Sequence, residues 1–276
     1  MKVSCLQFDP KHGQPKQNMA KATQMLAHLS EDDKLDVLVL PELGFTGYTF
    51  KDREQIRPFA EDGETGETVQ WAKAQAIRLK TFVLVGYPRI VVEDGKEKFY
   101  NAACFVGPTG ELLFTYHRHL LSKNDEGWAD QGDGFKYLDV PSLGRVGFGI
   151  SLDLSTHQLE ANRWMCDFTR FQADSGSQLI LCPMAWTRTE LDEGLEEEDP
   201  SFGTVKAWGQ RLRPVIDSTR EVPDKTVIVV FANRTGGKQE NLSFSGTSTV
   251  LSITGGMGSI MDAVSLGREQ VLYCEL

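Results

Sequence analysis

The first third of the chain alternates between strand-like and helix-like patterns of apolar residues. The segment VSCLQFD is a candidate strand, and in the following QNMAKATQMLAHLS apolar side chains recur at helical spacing from Met19 to Leu29. The next apolar run, LDVLVL, ends at Pro41 and is typical of a strand covered on both faces. A second helix predicted over 67–80 leads into the apolar strand TFVLVGYP. The resulting order is β, α, β, α, β.

Residues 99–117 interrupt this order. Their sequence, FYNAACFVGPTGELLFTYH, contains two apolar stretches separated by Gly107, Pro108, Thr109 and Gly110, a composition favoured in hairpin turns. We therefore expect two neighbouring antiparallel strands in this part of the chain.

The alternation of strands and helices resumes after the hairpin. Strand RVGFGIS is followed by a helix predicted across about 156–173, strand SQLILCPM, a helix near 203–219, strand TVIVVFAN and, after a glycine-rich turn, strand GTSTVLSI. Two βαβ halves predict an α/β fold of the αββα type, a sandwich with two central mixed sheets flanked by helices. A single open sheet is the alternative. No linker-like or low-complexity tract divides residues 1–276, so a single domain is expected.

Charge and apolar run length exclude several kinds of partner. The chain has 39 acidic and 29 basic residues, and its net charge of −10 disfavours binding to nucleic acid or to an anionic membrane. No apolar run approaches the roughly 18 residues that a membrane-spanning helix needs. The N-terminal KVSCLQFDP lacks the apolar core of a secretory signal, so we expect a cytoplasmic protein.

The cysteines and histidines indicate neither a disulfide framework nor a metal site. The number of cysteines, five, is odd, and none of them forms a CxxC pair, so free thiols are expected. His117 and His119 would share one face of a strand, but no carboxylate motif accompanies them. We expect no metal and no cofactor.

Three predicted strand ends carry polar side chains. Glu42 follows the run LVLP, Arg118 follows the hairpin, and Ser151 ends the glycine-punctuated run GFGIS. Reactive groups in α/β folds collect just past the C-terminal ends of strands, where loops converge. Taken singly, each residue has an ordinary interpretation: a surface carboxylate at a turn, a solvated base, or the first residue of a helix.

The motifs around these strand ends occur in a characteristic order. PELxxxGY, then YxxxL with DExW downstream, then GISLDL, together resemble the nitrilase or carbon-nitrogen hydrolase superfamily. LCPMAW at 181–186 and FANRTGGKQENLSFSGTSTV at 231–250 are similar to further segments of that superfamily, so the resemblance covers nearly the whole chain. It implies one carbon-nitrogen hydrolase domain over 1–276. Within the superfamily, YHRHLLSKNDEGW and SLDLSTHQLEANRW look most like the amidases that release ammonia from an N-terminal asparagine or glutamine.

The resemblance implies a Cys-Glu-Lys triad. In this triad the glutamate takes the thiol proton, the thiolate attacks an amide carbonyl, and the lysine stabilises the oxyanion. Glu42 matches the base, and Glu126 matches an additional glutamate that supports the lysine and the substrate. Two positions depart from the pattern, because Arg118 stands where the family has lysine and Ser151 stands where it has cysteine.

Both departures weaken the expected chemistry. Arginine can donate hydrogen bonds to an oxyanion, but with a pKa above about 12 it is a poor proton donor to a leaving amine. A serine alcohol is far more basic than a thiol of pKa about 8.5, and a lone carboxylate activates it poorly. Lys123 is an alternative cation. Cys104, Cys166 and Cys182 are alternative nucleophiles, although strand or helix interiors are typical of inert thiols.

Candidate substrate contacts are implied by the same resemblance. A free α-amino group calls for an anion, for which Asp153 and Glu126 are candidates. Tyr48, Trp128 and Trp186 are candidates for the walls of an amide-sized cavity, with core packing as the alternative for the tryptophans.

The sequence thus predicts an amidohydrolase that acts on a small amide or a peptide N-terminus, with weak or absent activity. A catalytically silent module that binds peptide N-termini is one alternative, and an amidase of small ω-amides or ureido acids is another. Superfamily members commonly pair through their helical layer, so the resemblance is compatible with a homodimer.

Overall fold

The computed structural model describes residues 1–155, 166–222 and 224–276. In these ranges the strands are β1 (Lys2–Gln7), β2 (Val37–Val39), β3 (Phe82–Glu93), β4 (Lys96–Val106), β5 (Leu112–His117), β6 (Lys136–Val140), β7 (Gly144–Phe148), β8 (Leu179–Met184), β9 (Thr226–Asn233), β10 (Thr249–Thr254), β11 (Met257–Ala263) and β12 (Gln270–Glu275). The helices are α1 (Pro15–Met25), α2 (Arg53–Ile56), α3 (Glu67–Leu79), α4 (Asp167–Asp174), α5 (Phe202–Arg211) and α6 (Arg213–Glu221).

The strands form two mixed sheets of six strands each, as the sequence predicts. The first sheet has the order β12-β1-β2-β3-β4-β5, and the second has the order β11-β10-β9-β8-β7-β6. In the first sheet β1, β2 and β3 are parallel, and the other pairs are antiparallel. In the second sheet β7, β8 and β9 are parallel, and the other pairs are antiparallel. The expected hairpin corresponds to the antiparallel pair of β4 and β5.

Successive side chains of the central strands enter two different cores. Val37 and Val39 of β2 face the core between the two sheets, whereas Leu38 and Leu40 face the helices. All four side chains are fully buried. A strand covered by a sheet on one face and by helices on the other has no polar face, which explains its continuous apolar run.

Helices cover the outer face of each sheet. α1 and α3 pack on the first sheet through residues such as Ala22 and Ala72. α4, α5 and α6 pack on the second sheet through Phe168, Trp208 and Val215. The layers are therefore helix, sheet, sheet, helix, which confirms the αββα sandwich. None of the helices in the described ranges is long and apolar enough to cross a lipid bilayer.

Some elements differ from the prediction. Of the helix predicted across 156–173, the structure gives α4 from Asp167, and residues 156–165 lie outside the described part of the chain. The helix predicted near 203–219 is two helices, because α5 ends at Arg211 and Pro214 occupies the first turn of α6, where its missing N–H is tolerated. Strands β6, β11 and β12 lie outside the predicted elements, since their partly exposed side chains form no continuous apolar run.

Phe105 is a direct test of the core between the sheets. Its side chain is fully buried, and its ring centroid lies 5.5 Å from that of Phe82 and 5.2 Å from that of Phe148. We expect Phe105→Ala to lower the free energy of unfolding by about 3–5 kcal/mol, because it leaves a cavity among fixed neighbours. Urea unfolding followed by tryptophan fluorescence measures the loss.

Val92→Ala is the control, because Val92 is 68% exposed. It should change the free energy of unfolding by less than about 0.5 kcal/mol. Equal losses in the two variants would contradict the assignment of Phe105 to the core.

Candidate active site

Ser151 sits on a strained turn directly after β7. Its backbone has a φ of 39°, which places a non-glycine residue in the left-handed region, and it begins a short 3₁₀ turn over Ser151–Leu154. The preceding Gly149 has no room for a side chain, since a Cβ there would lie 2.5 Å from the Phe168 ring. Ser151 is 3% exposed, and its hydroxyl accepts a hydrogen bond of 2.7 Å from the backbone N–H of Ala185. Strain of this kind is common where a turn presents a functional side chain.

The carboxylate of Asp153 holds this turn in place. It accepts hydrogen bonds from the Tyr116 hydroxyl at 2.8 Å and from the backbone N–H groups of Ile150, His119 and Leu120 at 2.9, 3.0 and 2.8 Å. Burial raises the pKa of Asp153, and the Arg118 charge and the bonds from Leu120, Ile150 and Tyr116 oppose that shift. The side chain thus ties the Ser151 turn to the end of β5. It is fully buried and fully engaged, so the structure does not place it as the anion that the sequence analysis assigned to a substrate amine.

Glu42 lies just past β2 and is completely buried. Its Oε1 accepts hydrogen bonds from Asn101 Nδ2 at 2.7 Å and from Arg118 Nη1 at 2.6 Å, while Oε2 has no hydrogen-bond partner among the described residues. Burial raises the pKa of Glu42, and the Arg118 charge is the largest opposing effect. The Ser151 hydroxyl is close enough to lower that pKa further, although no bond of ordinary geometry joins the two groups.

Arg118 connects Glu42 to a second carboxylate. Its Nη1 lies 2.6 Å from Glu42 Oε1 and 2.9 Å from Asp125 Oδ2, and its Nε donates to the backbone carbonyl of Leu120 at 2.8 Å. Burial lowers the pKa of the guanidinium, but the two carboxylates outweigh that effect and hold it above its ordinary value. Arg118 therefore stays protonated at every physiological pH. Within the described part of the chain its Nη2 makes no hydrogen bond.

The second carboxylate is Asp125, and not Glu126 as the sequence analysis assigned. Asp125 is buried and accepts hydrogen bonds from the backbone N–H and hydroxyl of Ser122, at 2.8 and 2.6 Å, and from Asn101 Nδ2 at 3.2 Å. Glu126 is exposed. Adjacent residues in this turn point in different directions, so only one of the two carboxylates can face Arg118. The pattern Ser-x-x-Asp, which is typical of a capped turn, is the sequence signal for Asp125.

Asn101 belongs to the cluster and is absent from the sequence prediction. It lies on β4, is 1% exposed, and donates to both carboxylates. Its only sequence signal is a polar residue within the apolar run FYNAACFV.

A cavity of about 280 Å³ opens above Ser151. Its walls are formed by Tyr48, Ser122, Asn124, Ser151, Leu152, Ala185, Trp186, Thr187 and Thr189. Tyr48 and Trp186 line the cavity, and Trp128 does not. Trp128 is buried in an apolar cluster with Leu43 and Phe50 to which Tyr48 also belongs, so it packs behind the cavity wall.

The alternative reactive groups lie in unsuitable surroundings. All five cysteines are free and buried. Burial raises the pKa of Cys104 to about 12, and it raises the pKa values of Cys166 and Cys182, so none of these thiols ionises readily. Lys123 is exposed between two cavity residues and outside the buried cluster. The described residues also contain no group of three or more His, Cys, Asp or Glu side chains able to hold a metal ion.

Substitution of the two adjacent carboxylates distinguishes their roles. We expect Asp125→Asn to lower the free energy of unfolding by about 3 kcal/mol, because it leaves the buried Arg118 with one counter-ion and disturbs the Ser122 turn. Thermal unfolding by circular dichroism measures this change. Glu126→Gln is the matched control and should leave the transition unchanged. A larger loss for Glu126→Gln than for Asp125→Asn would indicate that Glu126, and not Asp125, is the second carboxylate that pairs with Arg118.

Comparisons with known proteins agree with this geometry. A protein N-terminal amidase of Schizosaccharomyces pombe is 29% identical over an alignment of 291 positions, which covers 100% of this chain and 99% of that protein. A 2-oxoglutaramate amidase of Bacillus subtilis is 31% identical over 195 residues, which cover 69% of this chain and 67% of that protein. A crystal structure of an N-terminal amidase with an Asn-Glu-Ala peptide has the same fold, with a TM-score of 0.87 at 19% identity over 100% of this chain and 97% of that one.

A family model described as carbon-nitrogen hydrolase matches residues 2–158, more than half of the chain. This stretch contains Glu42, Arg118, Asp125 and Ser151, the residues that the fold brings together. The family resemblance predicted from the sequence motifs is confirmed, and the chain belongs to the carbon-nitrogen hydrolase family of the nitrilase superfamily.

Proposed function

We propose that the cavity above Ser151 receives the side-chain amide of an N-terminal asparagine or glutamine of a peptide, and that the protein hydrolyses this amide slowly or not at all. The observation that carries the proposal is the position of Ser151, on a strained turn at the cavity, with Glu42 and Arg118 buried beside it. The similarity over the full chain to a protein N-terminal amidase supports the choice of substrate.

The polar groups near Ser151 suit a primary amide. Among the described residues, Glu42 Oε2 is an unpaired acceptor and Arg118 Nη2 is an unpaired donor, both buried, and Ser151 is the cavity residue next to Glu42. A carboxamide offers an N–H₂ donor and a C=O acceptor, so it can satisfy both kinds of group. A carboxylate offers two acceptors only and would face the charges of Glu42 and Asp125. We therefore infer selection of the amide over the acid.

Hydrolysis at this site would require two steps. In the first, Ser151 Oγ attacks the amide carbon and its proton passes to Glu42 Oε2. The C–N bond then breaks, the nitrogen takes that proton, and ammonia leaves an ester on Ser151. In the second, water gives a proton to Glu42 and its oxygen attacks the ester carbon; the bond to Ser151 Oγ then breaks, and Glu42 returns the proton to Oγ, which yields the acid and regenerates the serine. Donors such as Arg118 stabilise the oxyanion in both steps.

The side chains at positions 151 and 118 make this sequence slow. The pKa of a serine alcohol lies far above that of a carboxyl group even when burial raises the pKa of Glu42, so proton transfer from Ser151 is strongly uphill. Arg118 cannot supply a proton to the leaving nitrogen, because the two carboxylates hold its pKa above the ordinary value. If turnover is zero, the same proposal describes a module that binds peptide N-termini without hydrolysing them.

A second candidate function is hydrolysis of a small ω-amide acid. The observation that favours it is the 31% identity to a 2-oxoglutaramate amidase. Both candidates place a primary amide at Ser151 and differ in the remainder of the ligand, so one ligand panel separates them.

The expected homodimer and location have separate support. An apolar groove between α5, α6, β10 and β11 includes the exposed side chains of Phe202 and Ile260, and exposed apolar patches commonly mark interfaces between subunits.

The five free cysteines support a reducing compartment such as the cytoplasm.

The binding half of the proposal is tested by calorimetry with the unaltered protein. We expect tripeptides that begin with Asn or Gln to bind about tenfold more tightly than the Asp-first peptide of the same length. The carboxylate of Asp has no N–H to donate to Glu42 Oε2, so that acceptor stays unpaired. 2-Oxoglutaramate serves as the small-amide competitor. Equal affinity for the Asn-first and Asp-first peptides would refute the amide pocket.

The catalytic half is tested by ammonia release from the Asn-first tripeptide. The unaltered protein should release ammonia orders of magnitude more slowly than Ser151→Cys/Arg118→Lys, because the double change supplies a thiol of lower pKa and a cation that can lose a proton. Ser151→Cys and Arg118→Lys alone show which position limits turnover. Glu42→Gln in the double variant is the negative control. Rapid release by the unaltered protein, or no release from any short amide by the double variant, would contradict the proposal.

A further inference from the structure

We propose that the ligand is a peptide that continues beyond its first residue, and that it binds as an added strand against the backbone of Thr187. The identity of the first residue rests on the proposed function. The strand pairing itself rests on the geometry of residues 185–189, which form one wall of the cavity.

The wall segment runs from the reactive side chain to the surface. At its lower end the N–H of Ala185 donates to Ser151 Oγ at 2.7 Å, and Ala185 is 5% exposed. Trp186 and Thr187 are half-buried, and Thr189 is exposed. All four residues line the cavity. A ligand anchored at Ser151 therefore has a continuous protein edge beside it on its way out.

One edge of this segment is already paired. The carbonyl of Trp186 accepts from the backbone N–H of Ser245 at 2.9 Å, and the N–H of Arg188 donates to the carbonyl of Ser243 at 2.7 Å. Thr187 lies between these two bonds. The pattern is the widely spaced antiparallel pair, in which the middle residue makes no bond to the neighbouring strand.

The other edge of this segment carries the backbone N–H and C=O of Thr187. Thr187 forms an antiparallel bridge with Phe244. Because peptide groups alternate in direction along an extended chain, the N–H and C=O of Thr187 point away from this neighbour. Neither group bonds to another residue in the described ranges. Thr187 also lines the cavity, and in the proposed pairing its N–H and C=O, at strand spacing, face the ligand that occupies it.

The distances suit a peptide whose first side chain reaches Ser151. Two residues of extended chain, from Ala185 to Thr187, span about 6.6 Å. The side chain of an N-terminal asparagine or glutamine, together with the contact between its amide and Ser151, spans a comparable depth and places the ligand backbone near Thr187. The second residue of the ligand then donates its N–H to the Thr187 carbonyl and accepts from the Thr187 N–H, the mode known as β-strand addition. A small ω-amide acid has no second residue to make this pair.

Calorimetry with the unaltered protein tests the pairing from the ligand side. The reference ligand is Asn-Ala-Ala, and the variant carries an N-methyl group on the second residue. We expect that methyl group to weaken binding roughly threefold to tenfold, because it removes one of the paired hydrogen bonds. N-methylation of the third residue is the matched control and should change affinity less than about twofold, since that N–H points to the opposite edge. Asparaginamide, which lacks the second carbonyl, should bind more weakly than the tripeptide.

Thr187→Pro tests the pairing from the protein side, because proline removes the backbone N–H. Thr187→Val is its comparison, since valine removes the hydroxyl but keeps the N–H. We expect the proline variant to bind Asn-Ala-Ala more weakly than the valine variant by roughly threefold to tenfold. Thermal unfolding of both variants checks that the wall still folds.

The outcomes separate the two proposals. Equal effects of the two N-methyl groups, or equal affinity for asparaginamide and the tripeptide, would overturn the strand pairing and leave the amide pocket in place. If the proline variant does not fold, the ligand series on the unaltered protein decides. Failure of Asn-Ala-Ala to bind more tightly than Asp-Ala-Ala would overturn the proposed function, and the strand pairing with it.

Discussion

A guanidinium enclosed by two carboxylates organises this site. Arg118, Glu42 and Asp125 are all buried, with Arg118 Nη1 at 2.6 and 2.9 Å from the two acids. A buried charge is tolerated only when it is paired and hydrogen-bonded. Displacing any one of these three side chains would therefore leave a buried charge without its partner. Their backbones belong to the end of β2, the end of β5 and the turn after β5. Three separate segments are thus held at one point.

The Ser151 turn depends on the same region of the chain through a fourth acid. Asp153 accepts bonds from the N–H groups of His119 and Leu120, which directly follow Arg118. The stretch after β5 is therefore held from one side by Asp125 and from the other by Asp153. This explains how a residue with a φ of 39° is maintained at Ser151, because the surrounding hydrogen bonds compensate for its strain.

Arginine in place of lysine changes what such a cluster can do. Its planar group binds Glu42, Asp125 and the Leu120 carbonyl at once, and it keeps its proton under all physiological conditions. These properties suit a rigid receptor for a neutral polar ligand. Under the proposed function they do not suit a group that must exchange protons with a leaving amine, and the alcohol of Ser151 is a second obstacle to the proposed turnover.

The sequence by itself predicted the sandwich, with a single open sheet as the alternative, and it placed Glu42, Arg118 and Ser151 at the ends of predicted strands. Apolar periodicity decides which faces are buried, and strand ends such as those before Glu42, Arg118 and Ser151 converge in any fold of this kind. Only the tertiary structure decided which neighbouring side chains face the cluster. Asp125 and Glu126 are adjacent acids in one turn, and their directions depend on the capping bonds to Ser122. Likewise, the pairing of Thr187 with residues 243–245, which lie far away in the chain, decides that its N–H and C=O face the opposite edge, where they bond to no other described residue.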